Sequence, residues 1–150
     1  MKHTQLRSKD FNEKILQYQI QFTKKDQIEL VETDTLKIIL VNKEPAFFYH
    51  EEILLPTLKF LQQHSIVPVI TVDMGAIPFI IKGADIMRPG IVRIVPKTNK
   101  NEPVVVVDQT HHKPLAVGTA LYSAEEIQAL PKGKVIKNIH YVGDYIWNFS

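Results

Sequence analysis

The sequence predicts an α+β protein of two small units, the first a mixture of helices and short strands, the second a small closed or nearly closed barrel. Three observations carry this. The chain has 150 residues, 45% hydrophobic and 23% charged, which is the composition of an ordinary folded protein of one or two domains. Up to residue 70, runs in the helical period alternate with runs in the strand period. Beyond it, about five short strand-like runs and two short helices share the remaining residues, a density that suits a barrel.

In the first unit, Asp10 and Glu13 have capping-box spacing, and Phe11, Ile15, Leu16 and Ile20 follow at helical intervals, which predicts a helix over 9–20. Strands are expected at Gln27–Val31 and Leu36–Val41, separated by Glu32-Thr33-Asp34, and a third at Ala46–His50. Ile53, Leu54, Leu58, Phe60 and Leu61 predict a second helix over 53–64, with Pro56 in its first turn. The run Ile66–Val72 is β-favouring and enters the second unit without a Gly/Ser linker, so the two units, 1–70 and 71–150, are expected to be held rigidly together.

Asp73 is a good N-cap for a largely buried helix over Met74–Lys82, which contains Ile77, Phe79, Ile80 and Ile81, and Gly83 supplies a left-handed stop. Strands are expected at Ile91–Val95, Val104–Asp108 and Leu115–Tyr122. Ser123 and Glu126 form a capping box for a short helix ending before Pro131. Lys134–His140 and Tyr145–Phe149 alternate as the last two strands, joined by a turn at Gly143-Asp144.

Composition excludes several chemistries. Without cysteine there is no disulfide framework, thiolate metal site or thiol nucleophile. The longest apolar stretch, Ile66–Ile81, contains Asp73, Gly75 and two prolines and falls short of the roughly 18 residues a membrane span needs. Residues 1–9 show no secretory core, so a cytoplasmic location is the expectation. The net charge of +2 is too mild to announce nucleic-acid binding, although the whole excess lies beyond Ile70.

No catalytic or metal constellation stands out. Ser123, His111, His112 and Asp108 can be written as a triad, but no strained elbow accompanies Ser123, which already has a capping role. His111 and His112 are adjacent with no further ligand at metal spacing, as suits a solvated hairpin tip. Gly75, Gly83 and Gly90 make no dinucleotide or phosphate-loop pattern, and Glu51-Glu52 and Glu125-Glu126 fit helix starts. No cofactor is expected.

What remains is Lys82–Arg93, where two glycines and a proline lie among basic side chains. Gly83 and Gly90 let backbone approach a ligand, Pro89 stiffens the turn, and Lys82, Arg88 and Arg93 can reach phosphate oxygens. A helix-to-strand turn with solvated cations accounts for the same residues.

At these residues the chain resembles a known family. Val72–Ala76, Lys82–Ile91, Val104–Asp108, Pro114–Gly118 and Ser123–Glu126 are similar to the successive motifs of a PUA domain, and Lys137–Trp147 resembles the close of the malignant-T-cell-amplified-sequence proteins and their ligatin and archaeal relatives. The resemblance implies a pre-PUA α+β domain over 1–70 and a PUA pseudobarrel over 71–150. It implies a non-enzymatic protein that docks structured RNA, tRNA or small-subunit rRNA, along Met74–Lys82, Gly83–Pro89 and Gly90–Val95. The candidate contacts are Lys82, Gly83, Ala84, Arg88, Pro89, Gly90 and Arg93, with Arg88 foremost. Partners so implied are RNA and the small ribosomal subunit or a translation factor, without a membrane. A subunit presenting RNA to a modifying enzyme fits the resemblance as well, and a protein-interaction module fits if Arg88 and Lys82 are buried or paired. One departure from the family pattern is Asn101-Glu102-Pro103, where a Gly-Asp pair often precedes the third strand. Phe47 and Phe48, adjacent on a strand, put one ring on each face, so one of them is a candidate for exposure and protein contact. Alternation favours core packing for Trp147 over base stacking.

Overall fold

The computed structural model describes residues 1–149 and divides them into two compact units, Met1–Ile66 with the residues from Asn148 onward, and Val67–Trp147. The first unit is an antiparallel five-stranded meander, β1 (Lys2–Leu6), β2 (Ile28–Glu32), β3 (Lys37–Val41), β4 (Glu44–His50) and β5 (Ile53–Pro56), in that order across the sheet. Two short helices accompany it, α1 (Ser8–Lys14) and α2 (Leu58–Leu61). Phe47 is the hub of its core, with Phe11, Tyr18 and Phe60 at ring-centroid distances of 5.6, 5.8 and 5.1 Å.

Several expectations are corrected in this unit. β1 forms from a polar segment because an edge strand needs backbone pairing with β2 more than an apolar face. The helix expected over 9–20 begins at Ser8 and stops at Lys14, and a 3-10 turn, Leu16–Tyr18, follows. That turn directs Tyr18 into the core, where its hydroxyl donates to the Leu54 carbonyl and burial pushes its pKa up. Asp10 does not close a capping box; it pairs with Arg7 at 2.9 Å.

The helix expected over 53–64 is the edge strand β5 followed by one helical turn. Glu51 and Glu52, with φ of 50° and 69°, form a two-residue hairpin turn that sends Ile53–Pro56 back along β4. Pro56 lacks an N–H and is acceptable at that edge. The helix starts only after Thr57, whose hydroxyl accepts from Phe60 N–H at 3.1 Å. Both Phe47 and Phe48 are buried, so neither offers the exposed ring expected from their alternation.

The second unit is a six-stranded sheet ordered β7 (Ile86–Met87), β11 (Lys134–Tyr141), β10 (Pro114–Ala120), β9 (Pro103–Asp108), β6 (Val69–Val72), β8 (Ile91–Ile94). All neighbours are antiparallel except β6 and β9. The two outermost strands in this order, β7 and β8, are separated in the chain only by the 3-10 turn Arg88–Gly90. A sheet whose two edges are tied by three residues must curl to bring them together, and a pseudobarrel results whose seam is held by that turn, with no β7–β8 ladder among the described residues. Its interior holds Ile70, Val72, Val104, Val106, Ala116, Ile127, Val135 and Ile136. At a bulge in the β10–β11 pairing, a Cβ on Gly118 would overlap the Lys137 carbonyl oxygen, so only glycine fits there.

Two helices belong to this unit, α3 (Ile77–Ile80) after β6 and α4 (Ala124–Ala129) after β10. Ser123 and Glu126 make the expected capping box at the start of α4. The strand expected at Tyr145–Phe149 is absent. The Asp144 carboxylate instead accepts from His140 Nδ1 and from the Tyr141 and Trp147 N–H groups at 2.9, 2.9 and 2.8 Å, which winds the chain into turns. Trp147 is half-buried. Asn101 stands where the Gly-Asp pattern departs, and it takes the left-handed conformation (φ 69°) that glycine would provide. Asparagine tolerates that region better than most residues. No helix among the described residues is long and apolar enough to cross a membrane.

Candidate nucleic-acid interface

The helix expected over Met74–Lys82 is shorter and more exposed than its pattern implies. Asp73 caps a 3-10 turn, Met74–Ala76, by accepting from Ala76 N–H at 3.0 Å, and α3 adds one turn with Pro78 near its start. In a helix of one turn Ile80 is buried and Ile77 packs half-buried against the core, while Phe79 is 67% exposed and Ile81 41%. Gly83 stops the helix as expected, with φ of 95°. Its N–H donates to the Ile80 carbonyl and the Ala84 N–H to the Phe79 carbonyl, the crossed pair that ends helices at a left-handed residue.

Between this helix stop and the barrel seam lies an open groove of about 630 Å³. Gly83 and Ala84 form one wall, Pro89 and Gly90 the other, and Phe79 and Met87 supply exposed apolar surface. Two departures from the expected site follow. Lys82, Arg88 and Arg93 do not line this groove, and among the described residues its one lining cation is Lys134 at the start of β11. Lys134 Nζ lies 3.5 Å from Asp85 Oδ2, an ion pair whose aspartate is half-buried and whose exposed lysine keeps its ammonium accessible.

Arg88 faces a different way. Its Nε donates to the Ile127 carbonyl of α4 at 2.7 Å and its Nη1 to the Ile91 carbonyl at 3.4 Å. Its own N–H donates to the Gly133 carbonyl at 2.8 Å. Half-buried and so engaged, Arg88 fastens the seam between β7 and β8 to α4. Lys82 and Arg93 are exposed. Asp85 also accepts from Asn138 N–H at 2.9 Å, and the Asn138 amide donates to the Ile80 and Ala84 carbonyls, which fixes the Gly83 wall from behind.

The residues that sequence reasoning placed elsewhere are Phe79, read as core, and Lys134, read as the start of a strand. Pro78, directly before Phe79, and Gly83, three residues after Ile80, were the available signals of a helix too short to bury that ring.

A seam-closed barrel of this strand order, with a glycine-walled groove beside its first helix, defines a PUA-domain protein, and the PUA domain family model matches residues 68–142. A domain of unknown function, DUF1947, matches residues 5–64. The chain belongs to the family of the malignant T-cell-amplified sequence and translation machinery-associated 20 proteins, which it resembles over 85% of its length. It is 36% identical over 135 residues to translation machinery-associated protein 20 of Saccharomyces cerevisiae, covering 75% of that protein. It is 36% identical over 134 residues to malignant T-cell-amplified sequence 1 of Rattus norvegicus, covering 73%. An uncharacterized protein of Methanocaldococcus jannaschii is 47% identical over 130 residues, 85% of this chain and 79% of that one. Among solved structures, a hypothetical protein of Pyrococcus horikoshii superposes with a TM-score of 0.83 at 33% identity, covering 97% of this chain and 98% of that chain.

Proposed function

We propose that this protein is a non-enzymatic RNA-binding factor of the translation machinery, and that its barrel docks structured RNA, tRNA or small-subunit rRNA, in the groove beside α3. The observation that carries the reading is the groove itself. Its walls at Gly83, Ala84 and Gly90 place backbone within reach of a ligand, and Phe79 and Met87 offer apolar surface against which a base can lie. Lys134 supplies a phosphate partner, and exposed Lys82 and Arg93 add positive charge on the flanks. The name of the Saccharomyces cerevisiae relative supports the translational setting.

Arg88 acts in this reading through the seam, by holding Pro89 and Gly90 in place. The test is fluorescence anisotropy with labelled tRNA, a small-subunit rRNA hairpin and duplex DNA over a salt series. Preference for RNA, with Lys134→Ala reducing the slope of log affinity against log salt by about 0.7, is the expected result. Equal weak binding to all three nucleic acids, indifferent to Lys134→Ala and to Gly90→Leu, overturns the reading and directs the search to protein partners.

A further inference from the structure

We infer that the hairpin tip between β9 and β10, Gln109–Lys113, is a second RNA contact that takes the strand as it leaves the groove. This rests on the proposed RNA reading of the groove and names a contact which that reading does not contain.

The tip and the groove meet at one peptide unit. Between Val72 and Asp73, at the end of β6, the carbonyl accepts from Gln109 N–H at 3.0 Å and the N–H donates to the Gly90 carbonyl at 2.9 Å. Gln109 opens the tip and Gly90 lines the groove, so the two features flank the same peptide. β9 and β8 are the two neighbours of β6, which puts the tip about 10 Å, two strand spacings, from the groove wall.

The tip is also built to hold its shape. Asp108, buried at the end of β9, accepts from the N–H groups of Thr110, His111 and Lys113 through its carboxylate. His112 takes a left-handed conformation (φ 54°) and donates its N–H to the Asp108 carbonyl at 3.1 Å. Folded around one carboxylate, the backbone turns its side chains outward: His111, His112 and Lys113 are all exposed. Two imidazoles and an ammonium can donate to phosphate oxygens, and the imidazole rings can stack on bases.

The charged groups near the tip do not oppose this. Asp108 lies 3.8 Å from His111 Nδ1 but is buried under the turn with its oxygens occupied by N–H groups. Asp73 holds the Ala76 N–H, and Asp144, at the end of β11 beside the start of β10, is held by His140. The outward charge of the tip is therefore that of its own side chains.

The experiment compares two labelled single-stranded RNAs, a trinucleotide that fills only the groove and an oligonucleotide of about 12 nucleotides that extends beyond it. The variants are His111→Ala/His112→Ala/Lys113→Ala and Lys113→Glu, all at exposed positions. The expected result is that the longer RNA loses about tenfold in affinity with the triple variant, with a salt slope lower by about 0.7 for each phosphate that is no longer neutralised. The trinucleotide is expected to change less than twofold. If the longer RNA binds both variants as it binds the unaltered protein, the role of the tip is refuted while the groove reading stands. If neither single-stranded RNA binds the unaltered protein at low salt, the role of the tip is refuted; if tRNA and the rRNA hairpin fail to bind as well, the groove reading falls with it.

Discussion

Replacing Arg88 separates a structural from a ligand-binding role at the residue that sequence reasoning ranked first. Its guanidinium makes one short bond, 2.7 Å to the Ile127 carbonyl, and one long bond, 3.4 Å to the Ile91 carbonyl. A hydrogen bond from a charged donor contributes about 1.5–3 kcal/mol, and the long one adds little. The Ile127 carbonyl also accepts from Leu130 N–H, so truncation leaves it partly satisfied. Arg88→Ala is therefore expected to cost about 2 kcal/mol. For a chain of this size that is a fall in Tm of about 4–8 °C. Arg88→Lys keeps the charge but has no Nε and no fork, so it should recover less than half of the loss. The assay is thermal unfolding followed by circular dichroism, with RNA anisotropy at a temperature where all three proteins are folded. A Tm within about 1 °C of the unaltered protein, combined with a loss of RNA affinity restored by lysine, would show that Arg88 serves as a phosphate arm and refute its role at the seam.

Three further outcomes follow from the geometry. Gly118→Ala must displace the Lys137 backbone at the β10–β11 bulge, and a loss of at least about 3 kcal/mol, or failure to accumulate as soluble protein, is expected in denaturant titration. Glu51→Asn with Glu52→Gly relieves two left-handed residues in the β4–β5 turn and should raise stability by about 1 kcal/mol, read as a higher urea midpoint. Burial raises the Asp144 carboxyl pKa, but the hydrogen bond and charge of His140 and the N–H groups of Trp147 and Tyr141 outweigh it and hold the carboxyl below its ordinary value. Since its folded value is the lower one, its contribution is complete above the unfolded range near 4 and is lost as pH falls through the folded value. Asp144→Asn should thus lower the urea midpoint at pH 7, and the gap to the unaltered protein should narrow steadily below about pH 4; a gap independent of pH contradicts the assignment.

The barrel was the more legible part of the chain. The valines of β9 and the β-favouring run of β11 announce strands that the fold contains, although bulges break the inside-outside alternation of β11, and Ser123 and Asp73 cap where they were expected to cap. Ile53-Leu54-Leu55 misled because a short apolar run suits a strand and a helix equally, and the deciding turn lies at two glutamates with no turn signature. β1 and β7 were invisible, one because it is polar and the other because it has two residues. Within the candidate site, Gly83, Ala84, Pro89 and Gly90 do share one groove, as their glycine-loop chemistry suggests. The orientation of Arg88 could not be read, because its acceptor on Ile127 is 39 residues away in the chain. Phe79 was misplaced because helical periodicity presumes a helix of several turns, and α3 has one.

The three-residue turn that joins β7 to β8 also supplies, through Pro89 and Gly90, one wall of the groove. A molecule gripped between that wall and Gly83 therefore bridges the last joint of the barrel to the rest of it. Its binding energy adds to whatever keeps the joint closed, and amides along β7 and β8 should then exchange with solvent more slowly in the occupied protein. Occupancy and barrel lifetime become two readings of one equilibrium, and a mutation that loosens the joint weakens binding without touching the ligand.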